Sequence, residues 1–109
     1  MNNIKIYFLE DTELAEFEAI SKGYRNDVIV AVSGVFYHVY VYDIVRLQQD
    51  FASELENYGY YSIEPSLVLV KEASKEIIQL TLRALYEQNY FDHLKPIDKS
   101  SIGNHLTKY

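Results

Sequence analysis

The sequence predicts an α+β fold, a two-layer domain with an antiparallel or mixed sheet of about four strands and helices mainly on one face. Segments with a period of two, typical of strands, alternate along the chain with segments whose apolar residues recur every three or four positions, typical of helices. The two middle strands are joined by only two residues, which is too short for the crossover of a purely parallel sheet.

The chain has the length of one domain, and its 109 residues are 49% hydrophobic, enough to build a core. We expect that domain to span residues 1–97, with residues 98–109 forming a flexible C-terminal tail, because apolar residues become sparse there. The absence of cysteine excludes a disulfide framework, a thiolate zinc site and a cysteine nucleophile.

The N-terminal segment predicts a strand followed by a helix. Residues 3–9 alternate with a period of two, and the helix then begins at a cap formed by Asp11 or Thr12 and runs to Ile20. Residues 25–27 have the composition of a turn.

The central segment predicts a β-hairpin, because residues 27–33 and 35–42 flank the dipeptide Ser33-Gly34. The implied register pairs Val32 with Val35, Val30 with Tyr37, and Val28 with Val39. One face of the hairpin is then almost entirely valine. The opposite face carries Ile29, Ala31, Phe36, His38, Tyr40 and Tyr42.

The second half predicts a helix capped by Asp43 and running to about Tyr58, a strand-like pair of segments, and a last helix. The strand-like segments are residues 60–63 and 67–71, and Pro65 between them argues against a central position in the sheet. The last helix begins after Ser74, and its apolar stripe is Ile77, Ile78, Thr81, Leu82 and Leu85, continuing to Tyr90 and Phe91.

The formal net charge of −6 is concentrated in the first half, where residues 1–56 hold ten acidic and four basic side chains. Its densest part is the series Glu10, Asp11, Glu13, Glu16 and Glu18. Two interpretations stay open: a solvated helix face, or a patch that attracts a basic protein. Either way the charge disfavours direct binding of nucleic acid.

No arrangement of residues predicts an enzyme, a metal site or a cofactor. His38 lies on the aromatic strand face without a converging polar partner, and His93 lacks the spacing of a helical metal site. The four glycines form no phosphate-binding loop. The N-terminus lacks the features of a signal peptide and no apolar run is long enough to span a membrane, so we expect a cytoplasmic protein with no membrane contact.

Tyrosine is the most informative residue type, with eleven in the chain. A tyrosine ring offers a large rigid face and one hydroxyl, which suits protein interfaces, although the same rings could complete a small core that lacks tryptophan. In the interface interpretation, aromatic anchors are bordered by carboxylates. The predicted partner-binding residues are Asp27, Phe36, His38, Tyr40, Tyr42, Asp43, Asp50, Glu54, Tyr58, Tyr60 and Tyr61.

Two segments carry a resemblance to a known group of proteins: residues 60–65 (Tyr-Tyr-Ser-Ile-Glu-Pro) and residues 89–94 (Asn-Tyr-Phe-Asp-His-Leu). Together with the small size, acidity and lack of cysteine, they make most of residues 3–97 resemble the immunity proteins of bacterial polymorphic toxin systems. The resemblance implies a cytoplasmic inhibitor that masks the active site of a cognate toxin, often a nuclease.

The functional prediction is therefore a non-enzymatic acidic domain that binds a basic protein such as a toxin. The alternative is a homo-oligomeric regulatory or small-ligand-binding domain, a homodimer for example, in which the aromatic hairpin face pairs with its own copy. A third interpretation is a small enzyme that uses His38 together with tyrosines.

Overall fold

Four strands and three α-helices follow one another in the predicted order, and a short 3₁₀ helix is added after the last α-helix. The computed structural model describes residues 3–98. The elements are β1 (Ile4–Phe8), α1 (Glu13–Lys22), β2 (Tyr24–Val32), β3 (Val35–Tyr42), α2 (Ile44–Tyr58), β4 (Leu67–Leu69), α3 (Lys75–Glu87) and the 3₁₀ helix (Tyr90–His93).

The strands form one mixed sheet in the order β1-β2-β3-β4. The first three strands are antiparallel neighbours, and β4 is parallel to β3 at the sheet edge. The predicted α+β class with about four strands is thus confirmed, and the parallel edge strand follows from the crossover through α2.

The β2–β3 hairpin has the predicted register, with Val32 opposite Val35 and Val28 opposite Val39. Ser33 and Gly34 both have positive φ angles, 49° and 84°. Positive angles at both positions are typical of the two-residue hairpin turn whose twist matches that of the flanking strands. This turn is what sorts the side chains of the hairpin into a valine face and an aromatic face.

The valine face is the core of the domain. Val28, Val30, Val39 and Val41 are fully buried under the apolar stripe of α3 and the 3₁₀ helix. The side chains that cover them include Ile78, Leu82 and Phe91, as the periodicity of the last helix predicts.

Two predictions about the chain path were wrong. Residues 25–27 are not a turn: they belong to β2, where one extra residue between Arg25 and Val28 forms a bulge opposite β3. Residues 60–63 form no strand, because β3 has its parallel partner only from Leu67 onward. Most of the predicted tail, residues 99–109, lies outside the described residues.

The three α-helices begin where the sequence places their caps. The side chains of Thr12, Asp43 and Ser74 each accept a hydrogen bond from a backbone N–H in the first turn. Helices α1 and α2 end at Gly23 and Gly59, which both have a left-handed backbone conformation.

Candidate binding surface

The aromatic face of β3 is half-buried, and its histidine, His38, makes contacts within the protein. The rings of His38 and Tyr40 lie 4.5 Å apart, and Nε2 of His38 donates a hydrogen bond to the backbone carbonyl of Asn26. Phe36 lies beside Ile97, which pairs with it through the backbone. Phe36, His38, Tyr40 and Tyr42 therefore share one face as predicted, with β4 and residue 97 against the strand that carries them.

Helix α2 contacts the end of this aromatic face through polar groups. The guanidinium of Arg46 stacks over the ring of Tyr24 at 4.4 Å and pairs with Asp50, with 3.1 Å between Nε and Oδ1. Tyr42 lies beside Tyr24, with ring centroids 6.0 Å apart. Burial and, secondarily, a hydrogen bond with the Asp50 carboxylate raise the pKa of Tyr42 to about 12.

Tyr61 belongs to the loop that follows α2 and lies near Asp50 of that helix. Burial is the main cause that raises the pKa of Tyr61, and the carboxylates of Asp50 and Glu54 add to it. Its ring is 6.2 Å from that of Phe51. The structure thus brings together Tyr42, Asp50 and Tyr61 of the predicted set, and it places Phe51 with them.

The apolar stripe of α2 is left open to solvent. No residue of this helix is fully buried. Phe51, Leu55, Tyr58 and Ile63, the last from the following loop, are between 41% and 66% exposed. Together with Tyr61 these residues are named the α2 surface, and Tyr60 beside it is equally exposed.

The charged side chains of α2 after Arg46 and of the loop that follows the helix are all acidic. From residue 47 to residue 70 the chain contains no basic side chain, whereas Asp50, Glu54, Glu56 and Glu64 are all acidic. Glu54 is one helical turn from both Phe51 and Tyr58. Arg46, the basic residue just before this stretch, forms an ion pair with Asp50 and stacks on Tyr24.

Two carboxylates of the predicted set hold the fold together. Asp27 binds the side chain of Arg25, with 2.7 Å between Oδ1 and Nε, and accepts the backbone N–H of Glu10. Asp43 accepts the backbone N–H of Arg46 and donates its own N–H to the Gly23 carbonyl. Both carboxylates therefore accept hydrogen bonds within the chain, whereas the sequence interpretation placed them at the border of a partner-binding patch.

The dense acidic series is also largely engaged within the chain. Glu16 contacts Arg25 and the start of α3, Asp11 pairs with Lys75, and Glu18 pairs with Lys22. Three of its five carboxylates thus have a cation of the same chain beside them, although Asp11 and Glu18 remain exposed to solvent.

Helix α1 is oriented with its small residues inward. Ala19 is buried, whereas Leu14 and Phe17 are 66% and 68% exposed. A depression of about 360 Å³ lies between α1 and β2 and is lined by polar groups that include Glu10, Glu18, Lys22 and Asp27.

The α2 groove is a small depression of about 140 Å³ whose lining atoms are apolar. Its walls are Leu47, Gln48, Phe51, Tyr61 and Ile63. Of these residues only Tyr61 was among the predicted site residues. The sequence held part of the missing signal, because the amphipathic helix α2 and the loop after it contain no basic residue from position 47 onward.

No protein-family model, curated protein or solved structure matches this chain. Among residues 3–98 no helix is long and apolar enough to cross a membrane. Within the same residues no group of three or more metal-ligating side chains comes together.

Proposed function

We propose that this chain is a non-enzymatic binding domain that captures a basic protein through the α2 surface. One observation carries the proposal: half-exposed aromatic and aliphatic side chains occur in a stretch of 24 residues, 47–70, that contains four carboxylates and no basic residue. Exposed apolar side chains supply binding energy when a partner buries them, and the carboxylates favour a cationic partner and speed its approach.

Inhibition of a toxin by a cytoplasmic immunity protein is one form of this function. The resemblance of residues 60–65 and 89–94 supports it, and residues 60–63 lie in the loop that builds part of the α2 surface. In that form, a toxin encoded immediately upstream loses its toxicity when the two genes are expressed together.

The test is capture of proteins from the native cell by the tagged full chain, compared with two charge-reversal variants. The first is Glu54→Lys/Glu56→Lys/Glu64→Lys at the α2 surface. The second is Glu72→Lys/Glu87→Lys/Asp92→Lys, which changes the net charge equally at exposed positions elsewhere.

The proposal expects a captured protein with a basic surface, bound by the wild type and by the second variant and lost from the first. Circular dichroism checks that both variants fold. Capture that both variants lose equally, or an acidic partner, would contradict the proposal because binding would then not depend on charge at the α2 surface.

Self-association is a second candidate, favoured by the exposed Leu14 and Phe17 of α1. Light scattering separates the candidates: a stable dimer that Leu14→Ser/Phe17→Ser dissociates supports this one.

A further inference from the structure

The α2 groove adds a specific anchor site to the acidic surface. It lies between one helix and the loop after it, and the rings of Phe51 and Tyr61 stand at 48° to each other across a centroid distance of 6.2 Å. Its volume of about 140 Å³ is close to that of an apolar cavity known to hold a benzene molecule, roughly 150 Å³.

The interior of the groove offers nothing to a polar ligand, because its lining atoms are apolar. Carboxylates are nevertheless close by: those of Asp50 and Glu54 act on the Tyr61 side chain that forms one wall, and Arg46, which also acts on it, is paired with Asp50. Glu64 follows directly after Ile63, which forms another part of the lining. A ligand that fits both the apolar lining and the nearby carboxylates has an apolar group that enters the groove and positive charges on either side of that group.

We infer that the α2 groove binds a single large apolar side chain, such as phenylalanine or leucine, presented by a lysine- or arginine-rich segment of the partner protein. This inference rests on the proposed function and narrows it to one anchor. The arrangement corresponds to the general pattern of interfaces, in which a few buried apolar anchors dominate the affinity and the charges around them select the partner.

The probes are two synthetic lysine-rich peptides labelled with fluorescein, identical except for one central position that is phenylalanine in one and alanine in the other. Binding to the full chain is measured by fluorescence anisotropy. The phenylalanine peptide is expected to bind about tenfold to a hundredfold more tightly, the fold-change that corresponds to burial of one such side chain.

The discriminating variant is Ile63→Glu, which adds a negative charge while it replaces an apolar wall of the groove. Ile63 is in a loop and 55% exposed, so the substitution leaves the core intact. Leu80→Glu, at an exposed position on α3, is the matched control with the same change in charge.

The inference predicts that Ile63→Glu weakens binding of the phenylalanine peptide at least about tenfold and removes its advantage over the alanine peptide, whereas Leu80→Glu does neither. Equal affinity of the two peptides for the wild type would contradict an apolar anchor in the groove but would leave charge-dependent binding in place. Tighter binding of the phenylalanine peptide to Ile63→Glu than to the wild type would also contradict the anchor. If neither peptide binds, the anchor and the proposed function both fail.

Discussion

The carboxylate of Glu16 in α1 accepts the backbone N–H of Lys75, the first residue of α3, at 3.1 and 3.2 Å from its two oxygens. The same carboxylate lies 3.4 Å from Nη1 of Arg25. A negative group at a helix N-terminus is favourable because it meets the unpaired N–H groups and the positive end of the helix dipole. Glu16 of α1 therefore contacts both β2 and α3, and we expect its negative charge to stabilise the folded domain.

Replacement of Glu16 by glutamine is expected to lower the free energy of unfolding by about 1 to 2 kcal/mol, because the amide keeps the size of the side chain but loses the charge at the helix end. Urea unfolding measures the effect. Glu18→Gln is the control, because it loses only an exposed pair with Lys22 and should leave the free energy of unfolding nearly unchanged. Equal losses in the two variants would show that Glu16 has no special role.

Arg25 is the buried counterpart of Glu16. Its side chain is 3% exposed, stacks over the ring of Phe8 at 4.7 Å and donates a hydrogen bond to the Glu10 carbonyl at 2.6 Å. Arg25→Met is expected to destabilise the fold by about 3 to 5 kcal/mol, because it leaves the Asp27 carboxylate without its cation in a partly buried position. A loss below about 1 kcal/mol in urea unfolding, the range of exposed pairs, would contradict this account.

Gly23 has a role that the other left-handed glycines do not share. Its φ is +79°, and a Cβ placed on it would lie 2.5 Å from Oδ1 of Asp43, the side chain that caps α2. Gly59 has φ +80° but open space around it. Gly59→Ala should therefore cost roughly 1 kcal/mol from backbone strain alone, whereas Gly23→Ala should cost more because it also displaces the Asp43 cap, worth about 1 kcal/mol. Thermal unfolding of both variants checks the order, and an equal loss would contradict it.

Tyr42 makes stability depend on pH in the alkaline range. Its pKa is raised to about 12 in the folded protein, above the value of about 10 in an unfolded chain. A raised pKa of this kind contributes stability that is complete below pH 10 and is lost as the pH rises toward 12. In Tyr42→Phe this part of the alkaline loss should disappear. An unchanged slope of stability against pH would exclude Tyr42 as its source.

The hairpin was predictable because its determinants are local. Ser33-Gly34 sets the turn, and the valines then have only one register in which they share a face. The bulge was not predictable in the same way. It puts Arg25 on the valine face opposite Val41, although simple alternation from Val28 would place Arg25 on the other face.

The candidate site was predictable only in part, because it depends on which side of each helix packs inward. The spacing of Phe51, Leu55 and Tyr58 indicates a stripe but not whether the stripe is covered. In α1 the alanine side packs inward and Phe17 points outward, the reverse of the usual arrangement. The groove also needs Tyr61 and Ile63, whose approach to α2 is a tertiary contact.

The most direct test of the α2 surface as the binding site is an NMR titration of the ¹⁵N-labelled full chain with the lysine-rich phenylalanine peptide. The account predicts that the shifted amide signals are those of residues 47–64, with those around Phe51, Tyr61 and Ile63 shifted most. Shifts confined to α1, around Leu14 and Phe17, or to the aromatic face of β3 would contradict it.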